Sequence, residues 1–248
     1  MFAHEAWVAR RLQCDGNENM MTWAWWARSS LPNRTGVKLR LFWLLLVILP
    51  PLLVTTHLKS AQAPAKSPAV TYMGGLVSPP MPKPKFVLTD TAGTPFDLGP
   101  KTKGYVTLLF FGYTNCPDMC PAQMSMIAKA LAKLPAVTAD QFKVVFVTTD
   151  PARDNPKALR TWLDHFDKRF IGLIGSEAAI KAAQIAANLP PAEKSAVRPN
   201  GTYDVGHAVF VLAYTKDNLA DVIYPIGVKL EDLTHDLPLL VTETWSNH

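Results

Sequence analysis

The segment YVTLLFFGY, Tyr105 to Tyr113, is an almost unbroken run of β-favouring, mostly apolar residues. A strand with one wet face alternates apolar and polar positions; a run without alternation has to be covered on both faces by other elements. FKVVFVTTD, Phe142 to Asp150, repeats the demand. Between them, from Pro117 to Leu134, Met124, Ile127, Leu131 and Leu134 fall on one helical stripe. Asn155 to Lys168 reads as a second helix, with Pro156 where helices tolerate it. The short apolar piece RFIGLIG precedes a helix over about 176–188, and HAVFVLAYT and LADVIYPIG form a strand pair before a closing helix from Leu230 to Trp245. Upstream, KFVLTDTAGTPFDL reads as a small hairpin turning at Thr91-Ala92-Gly93. Strands alternating with helices and ending in an antiparallel pair predict an α/β sandwich built around a central mixed sheet.

The chain carries a net charge of +5 over 248 residues. Residues 1–40 hold Arg10, Arg11, Arg28, Arg34, Lys38 and Arg40 against Glu5, Asp15 and Glu18, so most of the excess sits there. It is a flank, not a face for nucleic acid. What it flanks is LFWLLLVILPPLLV, extendable to Leu58. The stretch 41–58 at about 1.5 Å per residue reaches roughly 27 Å, enough to span the hydrocarbon of a bilayer. The basic side predicts a cytoplasmic segment over 1–40, a transmembrane helix over 41–58 and an exported remainder in the cell membrane. A cleaved signal peptide is the rival, since SAQAPA follows in the right order; Pro64 after Ala61-Gln62-Ala63 opposes a cut there. Residues 59–85, rich in Pro and Ala, read as a semi-extended tether, with Met73 and Met81 incidental to it. The domain proper is expected over 86–248.

Export changes how the three cysteines read. Cys14 would face the reducing side, whereas Cys116 and Cys120 would lie where disulfides persist. Cys116 stands at a strand-to-helix junction, where free N–H groups favour a thiolate. If the helix begins at Pro117, Cys120 lies one turn on and the two sulfurs can approach. Three residues separate them instead of the two usual in redox motifs, and one of the three is Asp118, which opposes ionisation. A chelating pair fits better than a redox pair, and soft sulfurs call for a further ligand. Of His4, His57, His165, His207, His235 and His248, only His207 stands between a long loop (189–206) and a buried strand, the place from which a sheet end presents a side chain. A structural disulfide and a zinc site are the rival readings. Zinc usually takes four protein ligands, and no second cysteine pair exists.

FFGYTNCPDMCP, followed by VFVTTDPARDNP and a histidine that opens a late strand, resembles the Sco/SenC family of membrane-anchored, thioredoxin-like copper proteins. The resemblance runs from about Phe86 to the last helix. It implies a thioredoxin-like sandwich, copper as Cu(I) or Cu(II) held by Cys116, Cys120 and His207, and a role in assembling the dinuclear copper centre of cytochrome c oxidase. The implied partners are the copper-binding subunit of that oxidase and an upstream copper donor. Thioredoxin-like oxidoreductases have a proline before the strand facing their cysteines; here Gly206-His207 stands there. Family members commonly place an acidic residue directly before the histidine, and this chain has Gly206, with Asp204 further upstream. Met119, between the cysteines, is expected to be packing. Asp150 and Asp154 match the family's DP-x-R-D stretch, with loop capping as one reading and partner docking or orientation of the ligands from behind as the other.

Two functions share these residues. A metallochaperone binds copper through Cys116, Cys120 and His207 and passes it on by ligand exchange. A thiol-disulfide reductase keeps the oxidase cysteines reduced with Cys116 and Cys120 and has no use for His207. A peroxidase fits less well, because the P-x-x-x-T-x-x-C pattern of peroxiredoxins is not met around Cys116.

Overall fold

The computed structural model describes residues 71–242. The basic segment, the apolar stretch 41–58, most of the tether, Cys14, His4, His57 and His248 lie outside the described residues. Among the described residues no helix is long and apolar enough to cross a membrane.

The elements run β1 (Gly75–Pro82), β2 (Val87–Asp90), β3 (Pro95–Asp97), α1 (Leu98–Lys101), β4 (Val106–Gly112), α2 (Met119–Ala132), α3 (Ala136–Ala139), β5 (Phe142–Thr148), α4 (Pro156–Asp164), β6 (Ile171–Ile174), α5 (Glu177–Ala186), β7 (Glu193–Lys194), β8 (Val205–Gly206), β9 (Phe210–Tyr214), β10 (Leu219–Pro225) and α6 (Leu230–Thr242). Eight strands form one sheet in the order β1-β10-β9-β4-β5-β6-β2-β3. β4, β5 and β6 are parallel, while β9, β10, β1 and the β2–β3 hairpin pair antiparallel. This is the mixed α/β sandwich that the pattern predicts.

β4 is buried at every position, and its pleat divides the core. Leu108 and Phe110 join Met124, Ile127, Phe146, Leu159, Leu233 and Leu237 on one face. Leu109 and Phe111 join Leu98, Val145, Val147, Leu173, Ala183 and Leu212 on the other. With successive side chains on opposite faces, a strand so placed can carry no polar stripe. α2 and α6 pack together over the first face.

The helices start where local chemistry supplies caps. Asn155 accepts from Ala158 N at 2.9 Å before Pro156 opens α4, and Ser176 accepts from Ala179 N at 3.2 Å before α5. Two expectations shift. Gly75–Pro82, inside the segment 59–85 expected to be a tether, is an edge strand on β10, and its Met81 packs against the core. The extended, proline-rich composition that suggested a tether also suits an edge strand, where missing N–H donors cost little. The loop 189–206 contains the two-stranded β7–β8 ribbon.

Candidate metal centre

β4 ends at Gly112, and the chain crosses a turn in which Cys116 N donates to Tyr113 O at 3.2 Å before α2 begins. The helix starts at Met119, later than the expected Pro117, with Asp118 at the cap making no side-chain cap bond. Cys116 therefore precedes the helix and Cys120 sits in its first turn. The effect expected of the helix start survives in another form: Cys120 N lies 3.4 Å from Cys116 Sγ and donates to it. A first-turn N–H thus points at the first sulfur. Both cysteines are free and buried, Cys120 fully.

β9 pairs antiparallel with β4, so tracing it backward from Phe210 leads to the end of the sheet where β4 enters the thiol turn. His207 lies there. Its Nε2 is 3.5 Å from Cys120 Sγ. Both sulfurs and a ring nitrogen of His207 lie within 4.8 Å of one another, the cluster of three donors of this kind among the described residues. Nδ1 is 2.8 Å from Ala208 O. A carbonyl can only accept, so Nδ1 carries the proton and the lone pair of Nε2 faces the thiols. The main chain thus orients the imidazole in a chain that has Gly206 directly before His207 and no acidic neighbour at that position. Tyr113 and Phe110 wall the ring edge-on, at 5.7 and 6.1 Å between centroids.

Burial lowers the His207 pKa, partly offset by hydrogen bonds to the Ala208 and Phe111 backbone, which favours the neutral form a ligand needs. Burial pushes the Cys120 thiol well up, with the neighbouring Cys116 adding to the rise. Without a metal Cys120 is a protonated thiol at neutral pH, and an ion that binds it has to displace that proton.

The dimensions suit one small ion. Donors bound at roughly 2.0–2.3 Å around a three-coordinate centre stand about 3.5–4 Å apart, so a slight contraction closes this set. Two sulfurs and an imidazole form a soft set of the type that suits Cu(I), and it falls short of the four ligands of structural zinc. His165 caps α4 and His235 bonds Asp236, so neither joins the cluster. Met119, expected to be packing, is 39% exposed.

Two carboxylates of the turn after β5 brace the surroundings. Asp154, fully buried, accepts from Thr114 N at 3.0 Å, Thr114 Oγ1 at 2.5 Å and Thr148 Oγ1 at 2.6 Å. Asp150, also fully buried, accepts from Tyr203 Oη at 2.8 Å and pairs with Arg153. The sequence singled out both aspartates, but not Arg153, Tyr203, Tyr113 or Gly112. Arg153 lies inside the same DPARD stretch, the one signal that pointed to it.

A mixed-sheet α/β domain with a dithiol turn facing a neutral imidazole defines a soft-metal or thiol-redox protein. A profile of the SCO1/SenC family matches residues 78–241, and the chain belongs to that family. A Stutzerimonas stutzeri protein is 34% identical over 160 residues, 64% of this chain and 76% of that one. The solution structure of apo Sco1 from Thermus thermophilus superposes with a TM-score of 0.62 at 31% identity, covering 69% of this chain and 98% of that one. Bradyrhizobium japonicum ScoI with copper bound gives 0.58 at 29% identity, covering 65% and 99%. The chain spans less than half the length of two further relatives, an SCO2-like protein of Rickettsia conorii and the mitochondrial SCO2 of Saccharomyces cerevisiae.

Proposed function

We propose that this chain is a membrane-anchored copper metallochaperone, binding one copper ion through Cys116, Cys120 and His207 and delivering it to the copper centre of cytochrome c oxidase. The observation that carries the reading is the approach of three soft donors to within 4.8 Å, with Nε2 unprotonated and aimed at the sulfurs. Family membership and the copper bound by the Bradyrhizobium japonicum relative support copper as the cargo. The apolar stretch 41–58 with its basic flank supports an anchor that leaves residues 1–40 in the cytoplasm and the α/β domain on the exported side. The chain between anchor and sheet serves as the tether.

Copper titration of the full-length chain in detergent tests the ligand set. One copper binds per wild-type chain; Cys116→Ser and His207→Ala remove ligands and weaken binding by more than the roughly 10–100-fold that losing a partner of a ligand costs, while circular dichroism stays unchanged. One-to-one binding of undiminished strength in His207→Ala overturns the assignment. Protease protection of 1–40 in sealed vesicles tests the topology.

Two free thiols this close also favour a second reading, a reductase of oxidase cysteines. The high pKa direction of Cys120 argues against it as the attacking group. Rapid reduction of an oxidised dicysteine peptide, indifferent to His207→Ala, is the outcome that would favour it.

A further inference from the structure

We propose that Arg153, acting with Asp150 and Tyr203, is a positioning residue that holds His207 over the cysteine pair. The inference rests on the copper reading above only for its effect on metal, not for the geometry. Arg153 Nη1 donates to Tyr203 O at 3.1 Å, and its guanidinium carbon sits 3.7 Å over the Tyr203 ring. Its Nε donates to Asp150, which also receives the Tyr203 hydroxyl. Main chain, ring and hydroxyl of one residue are therefore all held from a single turn. A planar guanidinium can stack and donate at once, which an ammonium cannot do.

Tyr203 enters the short strand that leads through Val205 and Gly206 to His207. Val205 N lies 3.5 Å from Tyr113 Oη, and the Tyr113 ring that stands edge-on to the imidazole also has the Arg153 guanidinium 5.6 Å from its centroid. Arg153 thus touches both the chain that carries His207 and the ring that confines it. The same turn fixes the sulfur side, because Asp154 holds Thr114 two residues before Cys116. Residues 150–154 are the common reference from which both halves of the site are measured. The far side of the β7–β8 ribbon has its own fastening on α5: Ala192 N donates to Gln184 Oε1 at 3.0 Å and Lys194 pairs with Glu177. Loss of Arg153 accordingly loosens Tyr203 and the β8 side that leads to His207, while the β7 side of the ribbon keeps its fastening on α5.

The test uses the full-length chain in detergent, with Arg153→Ala, Arg153→Lys, Tyr203→Phe and, as a control on the far fastening, Glu177→Ala. In the metal-free protein, amide hydrogen exchange at 203–208 rises about tenfold in Arg153→Ala while 119–132 and 142–148 stay protected. Copper release to a chelator accelerates about tenfold or more, and Arg153→Lys and Tyr203→Phe fall between it and the wild type. Glu177→Ala leaves release unchanged. Wild-type exchange at 203–208 in Arg153→Ala overturns the proposal, as does raised exchange there with unchanged alkylation of Cys120 and unchanged copper release. If exchange rises throughout the domain, Tyr203→Phe decides: local loosening at 203–208 supports the clasp, and wild-type behaviour overturns it. Failure of the wild type to take up copper sinks the functional reading, while the metal-free exchange and alkylation measurements still decide the clasp.

Discussion

His207 Nε2 and Cys120 Sγ stand 3.5 Å apart across a sequence separation of 87 residues. Neither is held by its own neighbours alone. Cys120 is placed by the end of β4 and the start of α2, His207 by β9 and the turn after β5, and the sheet order that makes β9 and β5 the two neighbours of β4 brings these supports together. The precision of the pair is therefore a property of packing around β4.

Gly112 leaves the room in which the Cys120 sulfur sits. A Cβ at this position would lie 2.8 Å from Cys120 Sγ, 2.9 Å from Phe110 and 3.1 Å from Phe146. All three neighbours are fully or almost fully buried, so none can swing into solvent. Gly112→Ala should cost about 1–3 kcal/mol as overpacking and shift the sulfur away from His207. Thermal melts and copper titration should fall together. An alanine variant with wild-type melting and affinity would show that the sulfur is not confined there.

Asp154 is the acceptor for three donors, one main-chain N–H and two threonine hydroxyls. Asp154→Ala strands Thr114 N and two threonine hydroxyls, at a cost of about 1–3 kcal/mol for each donor that stays buried and unpaired. Asp154→Asn keeps one carbonyl oxygen and should cost less. The expected signature is faster alkylation of Cys116 along with the lower denaturation midpoint, because Thr114 begins the thiol turn. A lower midpoint with unaltered alkylation would confine Asp154 to a general structural role.

The sheet and the dithiol turn were legible because they follow from short-range pattern. Unbroken apolar runs at 105–113 and 142–150 admit only strands covered on both faces, and the Cys116–Cys120 spacing states its own geometry. His207 was legible by elimination, as the histidine standing between a loop and a strand. Three things were hidden for physical reasons. β1 looked like a tether because prolines suit an extended chain whether or not it is paired. The helix opens at Met119 and not at Pro117, because the chain spends two further residues in the turn, so the first-turn N–H that reaches the Cys116 sulfur is that of Cys120. The carbonyl that orients His207 belongs to the backbone of Ala208, and no side-chain pattern encodes it.

Asp236 anchors the start of the domain. Buried on α6, it accepts from Met73 N at 3.0 Å and Gly74 N at 2.9 Å, just before β1 adds to the sheet edge. Asp236→Ala removes the acceptor for both donors and should cost about 2–3 kcal/mol. Hydrogen exchange should rise at 72–76 while copper affinity holds, since Asp236 bonds Met73, Gly74 and His235, and none of these belongs to the Cys116–Cys120–His207 cluster. Loss of copper binding in this variant would mean that the edge strand and the metal centre are coupled.

Lys83, directly after β1, gives a stability effect with a defined sign. It is 8% exposed, donates to Thr107 Oγ1 at 3.0 Å and Thr102 Oγ1 at 3.2 Å, and burial lowers its pKa to about 8, opposed by the charge of Asp217. In the unfolded chain the same amine keeps its proton to about pH 10.4. Below pH 8 both states are protonated and the penalty for burying the charge is present in full. Between the two values the folded chain has released a proton that the unfolded chain still holds, so stability rises with pH. Above the upper value both are neutral and the penalty is gone. The whole effect is on the order of 3 kcal/mol, a gain of several degrees in melting temperature for a domain of this size. The buried Tyr214, whose hydroxyl resists ionisation, works the other way only above pH 10, because there the unfolded state alone loses the phenolic proton. Melts at intervals from pH 7 to 9.5 should therefore climb for the wild type relative to Lys83→Met, which has no amine to discharge. Parallel profiles for the two proteins would show that Lys83 keeps its proton in the fold.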